Sequence, residues 1–428
     1  MYHFIGIKGA GMSSLANIMN DLGYEVKGSD IEKHFFTEIG LNERNIKITV
    51  YDKSNIYEGL TIIKGASITE DNVELMEAKR LNLEIITYEE MVGRLTTKFK
   101  TICVSGCHGK TTTTAMLSIT LPSTNYLIGD GTGFAKKENT YFALESCEYK
   151  RHFLNYTPYY LIITNIDLDH VDYFKDIDDV IDAYNTLANK TIKKVVMYGD
   201  DLYTGKMELN KEPITYGLSS NNDVIAKNIE YNENGIKFEV YINNNLFGKF
   251  DLPLYGEHQL LDALSVITVC YLEGMDSNTI ESNLSKFKGA KRRFSEEVVN
   301  DSIIIDDYAH HPNEIKATME AIKQKYPNKN IVAIFQPHTF TRTEEFASDI
   351  ARYLNMADYA YVLDIHPARE KQEDYPSITA NIIIDKLNHG YHLTIADAEK
   401  LSKHKGSVYI FMSPNDLSVL ENSLKEKL

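Results

Sequence analysis

The segment Thr101-Ile-Cys-Val-Ser-Gly-Cys-His-Gly-Lys-Thr-Thr-Thr-Thr114 constrains this chain more than any other, because it reads as a buried strand, a tight glycine loop and a helix start. Such a loop aims backbone amides at a phosphate, with Gly106 and Gly109 letting the chain turn and approach an anion closely. Lys110 can reach terminal phosphate oxygens and the Thr111 hydroxyl is placed for Mg²⁺ at the positive helix end, so the implied ligand is a nucleoside triphosphate. The spacing is more compact than G-x-x-x-x-G-K-[ST], since position 104 is Val and the first glycine lies only three residues before the second. A plain glycine turn followed by an exposed lysine is the alternative; the strand before it and the polar helix start after it favour phosphate.

A chain of 428 residues exceeds what one hydrophobic core supports, so two or three domains are expected. With 43% hydrophobic and 25% charged residues, most of it should be folded. The formal charge of −16 argues against a broad nucleic-acid surface and against anionic membranes, leaving only local basic sites for phosphates. No apolar run approaches the roughly 20 residues that span a bilayer, and the first residues enter a strand directly, so a cytoplasmic protein is expected. Cys103, Cys107, Cys147 and Cys270 form no C-x-x-C pair and read as reduced thiols; Cys107, inside the loop but without a paired base, is given no catalytic role.

A second glycine turn opens the chain. Tyr2-His-Phe-Ile-Gly6 is a short apolar strand, followed by Gly6-x-x-Gly9-x-Gly11-Met12 and a helical pattern through Leu15, Ile18, Met19 and Leu22. The next strand, Glu25 to Asp30, ends in an acid about 20 positions on, where dinucleotide-type folds place a ribose contact; a sugar nucleotide would also suit, and a structural turn is the plain reading. Strand-like pieces at Thr61 to Lys64 and Glu84 to Ile86, with a helix over Asp71 to Arg80, continue the α/β pattern to about Thr97. Between Val195 and Leu254 the alternating runs look more antiparallel, with hairpin chemistry around Asn243 to Asn245. After Lys288-Gly-Ala-Lys-Arg-Arg293, apolar runs at Ser302 to Asp306, Asn330 to Phe335 and Tyr359 to Asp364 predict a further parallel sheet.

Candidate chemistry lies after these strands, at the edge where open α/β sheets bind ligands. Glu148 and His170 are candidate Mg²⁺ ligands, with Asp167, Asp169 and Asp172 also available and a solvated acidic loop as the alternative; histidine is an uncommon partner for so hard a cation. His258 begins another helix with Asp262 four residues later, suiting a base or ribose contact or an ordinary helix cap. Asp306-Asp-Tyr-Ala-His-His-Pro312 gathers polar groups that core packing does not require, and Arg342, after Gln336-Pro-His338, can grip a carboxylate or stand as an exposed helix residue.

Taken in order, Gly6-x-x-Gly9-x-Gly11-Met-Ser-Ser-Leu, Gly106-x-His-Gly-Lys-Thr111, Thr164-Asn-Ile-x-x-Asp-His170, Lys291-Arg-Arg-Phe294, Asp306-Asp-Tyr-x-His-His-Pro312 and Gln336-Pro-His338 resemble the Mur ligase family, and within it the members that add L-alanine. The resemblance runs from residue 2 to about 350, and the last segment matches less well. It implies an α/β protein of three domains: a Rossmann-like UDP-sugar-binding domain over 1–97, a central P-loop ATPase with a mostly parallel sheet over 98–292, and a Rossmann-like closing domain over 293–428. Gly9, Ala10, Gly11, Met12 and Asp30 would then contact the sugar nucleotide, and Gly106, His108, Gly109, Lys110, Thr111 and Thr112 the ATP phosphates, with His258 and Asp262 on the adenine side. Thr111, Glu148 and His170 would hold Mg²⁺, and Arg293, Tyr308, His310, His338 and Arg342 would line the amino-acid side, with Lys291, Arg292 and Arg293 marking the hinge.

The implied chemistry is transfer of the ATP γ-phosphoryl group to the lactyl carboxylate of UDP-N-acetylmuramate, then attack by the amine of L-alanine and expulsion of phosphate through a tetrahedral intermediate. Lys110, Glu148, His170, His310 and Arg342 would carry it, in a monomer or weak homodimer needing neither nucleic acid nor membrane. A relative that adds a tripeptide, or one that binds without catalysis, is the competing reading. This chain departs from the family in having Gln259 and Asp262 where amide side chains are usual, a shorter stretch over Asp364 to Glu370, and Met412-Ser-Pro-Asn-Asp416 in place of Met-Gly-Ala-Gly-Asp. Proline and asparagine cannot follow every backbone path open to glycine, so an altered turn and reduced turnover are expected there.

Overall fold

The computed structural model describes residues 1–170, 173–368 and 370–428, so Asp172 lies outside the described residues. Among these, strands form three main sheets of five, ten and six strands. In the first, Tyr2–Ile5 is central, with Val26–Asp30 and Lys47–Val50 on one side and Thr61–Lys64 and Glu84–Thr87 on the other, all parallel. Successive side chains of a strand face opposite ways, so Phe4 and Ile63 pack with Leu15, Ile18 and Met19 of the helix Ala10–Asp21. Ile5 and Ile62 pack on the other face with Leu75 and Ala78 of the helix Val73–Arg80. Burial on both faces explains why these strands read as continuous apolar runs.

The second sheet runs Asn245–Leu252, Gly235–Ile242, Val224–Asn232, Ile214–Gly217, Lys194–Tyr198, Tyr160–Ile163, Lys100–Ser105, Tyr141–Glu145, Thr124–Leu127, Gly133–Phe134. The antiparallel character expected from Val195 onward is corrected in part. Lys194–Tyr198, Ile214–Gly217 and Val224–Asn232 extend the parallel sheet. The connection before Val224 is pinned by Asp200, whose carboxylate accepts from Leu218 N at 2.7 Å and Asn222 Nδ2 at 2.8 Å. Reversal comes only beyond Asn232, where two-residue connections leave no room for a crossover. Asn243 and Asn244 turn with φ of +49° and +65°, as a tight hairpin requires.

The third sheet is ordered Ser295–Val299, Ser302–Asp307, Val408–Met412, Ile331–Phe335, Tyr359–Leu363, Gly390–Leu393, parallel except for its first pair. Helices Pro312–Lys325 and Phe340–Leu354 cover one face, and Leu420 and Leu424 of Ser418–Lys425 pack on the other. Register sets Asp307 and Phe335 each opposite Met412, so the ends of three strands share one edge. Packing divides the chain into two compact units, Met1–Ile229 with Phe238–Asp251 and Leu261–Phe287, and Glu230–Lys237 with Leu252–Leu260 and Lys288–Leu428. Among the described residues, no helix is long and apolar enough to cross a membrane.

At the N-terminal ends of the second sheet's strands, Glu273 closes the helix Glu257–Leu272 onto the sheet. Its carboxylate accepts from Tyr160 at 2.8 Å, from Lys193 at 2.7 Å and from the Tyr141 hydroxyl, and Lys100 stands 3.5 Å away. Burial alone would raise its pKa, but the bonds from Lys193, Tyr141 and Tyr160 hold it down at about 2. A carboxyl lowered from the usual range stabilises the fold fully above its unfolded-state pKa and loses that contribution as pH falls toward 2. Glu273→Gln is therefore expected to lower the melting temperature at pH 7 by several degrees, with the gap to wild type narrowing in acid melts between pH 5 and pH 3.

Candidate active site

The strand Lys100–Ser105 delivers the glycine loop to the sheet edge, and the helix Lys110–Thr120 leaves it. Gly106 has φ +139°, and a Cβ there would stand 2.0 Å from Thr164 Oγ1; Gly109, at φ +83°, caps the helix with Asp262 Oδ1 only 2.5 Å from where its Cβ would lie. Side chains are excluded from both positions, so the backbone alone faces any anion. Asp262, expected on the adenine side, is thus packed against the helix N-terminus.

The loop is clasped from the neighbouring strand. Asn165 Oδ1 accepts from His108 N at 2.9 Å while its Nδ2 donates to His108 O at 3.0 Å, and Thr164 Oγ1 donates to the same carbonyl at 2.5 Å. Thr164 and Asn165 carried no role in the sequence reading. The signal was present, because Ile163 pairs with Ser105 and whatever follows Ile163 must lie beside Gly106.

Lys110 Nζ donates to Gly106 O at 2.5 Å and to the Glu148 carboxylate at 3.2 and 3.4 Å. Burial opposes its charge, but the field of Glu148, followed by Cys147, Cys107 and Glu145, holds the ammonium well above the ordinary lysine range. Glu148 is 2% exposed, and His170 Nε2 lies 3.8 Å from its Oε1 with the ring tilted on Tyr149. Thr111 is buried in the first helical turn and Thr112 half-buried beside it. Buried carboxylate and hydroxyl oxygens suit a hard divalent cation, so this donor set fits Mg²⁺ through Glu148 and Thr111, with His170 at its margin. Cys107 exchanges bonds with the Asp167 backbone, Sγ to O at 3.0 Å and N to Sγ at 3.2 Å; burial, then Glu148, pushes its thiol far up, consistent with a packing role.

In the first sheet, Gly9 caps the helix Ala10–Asp21, so the backbone from Gly9 to Met12 lines the turn. Asp30 is engaged in shaping that turn: it accepts from Lys8 N at 2.7 Å and Ile31 N at 2.8 Å, with Tyr51 OH 3.4 Å away. Lys8, unremarked in the sequence reading, is buried with its ammonium donating to Ile31 O at 3.0 Å and Lys33 O at 2.9 Å and paired with Glu38 at 3.2 Å.

The second unit gathers another set. The Arg293 guanidinium lies 4.9 Å from the Tyr308 ring centre and donates to Glu314 Oε1 at 3.4 Å; Glu314 Oε2 accepts from His310 N at 3.0 Å and His311 N at 3.2 Å. Ring centres of His310 and His338 are 5.9 Å apart, and His338 stacks on His366 at 5.7 Å. His366 was missed, because its place beside His338 depends on a bridge between two loops distant in sequence. Arg342 stands in the first turn of Phe340–Leu354, its backbone N–H donating to Thr339 Oγ1 at 3.4 Å. His258 lies in the first turn of Glu257–Leu272, and burial, then Arg293, pulls its pKa down to about 4, so its imidazole is neutral near pH 7.

Three family models match the chain in sequence: Mur ligase family, catalytic domain, over residues 1–100; Mur ligase middle domain over 104–270; and Mur ligase, glutamate ligase domain over 292–413. Among solved structures, UDP-N-acetylmuramate-alanine ligase MurC from Thermotoga maritima aligns at 26% identity and TM-score 0.82, covering 100% of this chain and 98% of that one. A murein peptide ligase from Psychrobacter arcticus aligns at 22% identity and TM-score 0.72, covering 100% and 98%. MurF ligase from Thermotoga maritima in complex with ADP aligns at 17% and 0.65, covering 96% and 98%. The last two are likenesses of fold.

The clasp on His108 predicts that Asn165→Ala loosens the loop without disturbing the strands around it. Calorimetric titration with a non-hydrolysable ATP analogue should then read an affinity about tenfold or more below wild type, as loss of two buried hydrogen bonds implies.

Proposed function

Because this chain belongs to the Mur ligase family of ATP-dependent amide ligases, we propose that it joins L-alanine to the lactyl carboxylate of UDP-N-acetylmuramate in cytoplasmic peptidoglycan precursor synthesis. The observation that carries this reading is the buried Lys110–Glu148 pair beside a glycine loop into which no side chain fits. The whole-length likeness to an alanine-adding ligase supports the choice of acceptor. We place the domain limits at 1–97, 98–292 and 293–428.

A carboxylate is a poor electrophile toward an amine, and bound ATP with Mg²⁺ supplies the phosphoryl group that activates it. The chain's own residues do the rest. Loop amides from Gly106 to Thr111 orient the phosphates, and Lys110 offsets charge on the oxygens as they develop it. Glu148 holds that ammonium in place and, with Thr111 and His170, presents the metal-binding face. Gly9, Ala10, Gly11 and Met12 present backbone amides to the sugar nucleotide, while Asp30 keeps their turn in shape. Tyr308, His310, His338 and Arg342 bind and orient the acceptor, with Arg293 packed on Tyr308. The neutral His258 ring serves the adenine side, where a charged imidazole would be costly.

Phosphate release measured with ATP, Mg²⁺ and UDP-N-acetylmuramate should require L-alanine. Release with the tripeptide alone would move the assignment to the peptide-adding ligases, and none with either acceptor would overturn a ligase. In the same assay Lys110→Ala should lower kcat by at least about 10²- to 10³-fold, the cost of losing one positioned charge-stabilising donor.

A further inference from the structure

The turn Ser413-Pro414-Asn415, which follows the strand Val408–Met412, points three successive carbonyls at one side chain. Arg292 Nη2 donates to Ser413 O at 2.8 Å and Asn415 O at 2.7 Å, and Nη1 to Pro414 O at 3.0 Å. The same guanidinium binds Asp306 through Nε at 3.0 Å and Nη2 at 3.4 Å. Carbonyl dipoles converging this way repel one another unless a cation sits between them. Only a planar fan of donors can serve three carbonyls and a carboxylate together, which the point charge of a lysine cannot.

The far side of the turn holds Gln336. Ser413 Oγ donates to Gln336 Oε1 at 3.2 Å and Asn415 Nδ2 donates to it at 3.0 Å, while Asn415 N donates to Ser413 Oγ at 2.9 Å. Gln336 N donates to Met412 O at 3.1 Å and Nε2 to Asp364 O at 3.4 Å, so the amide has one orientation. Pro337 and His338 follow directly, and His338 bridges to His366. Glycines at 413 and 415 would supply neither side-chain bond.

We propose that Arg292 is a positioning residue: through the Ser413-Pro414-Asn415 turn it fixes Gln336, and thereby His338, for the acceptor amino acid. The side chains at 413 and 415 replace, by hydrogen bonding, the close fit that a glycine turn would provide. This rests on the ligase reading above. Asp306, Asp416 and Glu421 also face Arg292, so loss of the cation would leave acids crowded at the turn.

The test compares wild type with Arg292→Lys, Arg292→Ala and the double variant S413G/N415G, using kinetics and hydrogen exchange across residues 413–417. For Arg292→Lys and the double variant, the KM for L-alanine should rise about tenfold or more, as loss of charge-assisted or paired hydrogen bonds implies, with the KM for UDP-N-acetylmuramate within about twofold of wild type. Exchange at 413–417 should quicken in both. Added guanidinium ion should restore part of the activity of Arg292→Ala, which a misfolded variant would not allow. An unchanged acceptor KM and unchanged exchange in Arg292→Lys would overturn the proposal, as would faster turnover in S413G/N415G. If wild type releases no phosphate with either acceptor, the ligase reading fails, and unchanged exchange in Arg292→Lys would separately remove the clamp.

Discussion

A buried ammonium facing a buried carboxylate is the interaction on which the site in the first unit depends. Taking Lys110 and Glu148 out of water is costly, and their mutual attraction offsets that cost only where further hydrogen bonds complete both groups. Here the remaining lysine donors go to carbonyls of the glycine loop itself, so one ion pair both tolerates burial and folds the loop. Asn165 and Thr164 close the other side by pairing with His108. The loop is therefore shaped from two neighbouring strands before any phosphate arrives, which lowers the ordering that binding would otherwise require.

A related economy governs the second unit. Strand ends at Asp307, Phe335 and Met412 share one edge, and the polar residues just past them are bound chiefly to one another. Glu314 serves His310, His311 and Arg293 from a single carboxylate, while Arg292 gathers the turn after Met412. Arg292 and Phe294 both adopt positive φ, a conformation disfavoured for side-chain-bearing residues. Their backbones are held by Tyr308 N, which donates to Arg292 O at 2.8 Å, and by Asp307, which accepts from Phe294 N at 2.8 Å. Stiff carboxylates and guanidinium groups thus offset the backbone strain that this entry into the domain requires.

Much of the fold was legible because parallel strands buried on both faces leave continuous apolar runs, as at Tyr2–Ile5 and Ile331–Phe335. The reading failed where pairing partners are remote. Ile214–Gly217 looks no different in sequence from an antiparallel edge strand, and its parallel placement rests on Asp200 holding the connection that follows. Site residues with unusual spacing or composition, such as Lys110, Glu148 and the His310 cluster, were visible. Residues that act by holding others, Thr164, Asn165, Lys8 and His366, were not, since their chemistry is ordinary until their neighbours are known.

By itself the sequence determined the three-part α/β organisation, the two glycine turns and the kind of ligand each can face, because period, turn chemistry and charge are local properties. Tertiary structure alone decided how those groups are used. It turned Asp30 toward its own backbone, set Asp262 against the phosphate-loop helix and left His258 neutral through burial beside Arg293. It also decided the turn at Ser413 to Asn415, which reads as a loss of glycines and is in fact a set of hydrogen bonds to Arg292 and Gln336. The reason is physical: hydrogen-bond partners and desolvation depend on what the fold brings within a few ångströms, and residues 292, 336 and 415 meet only there.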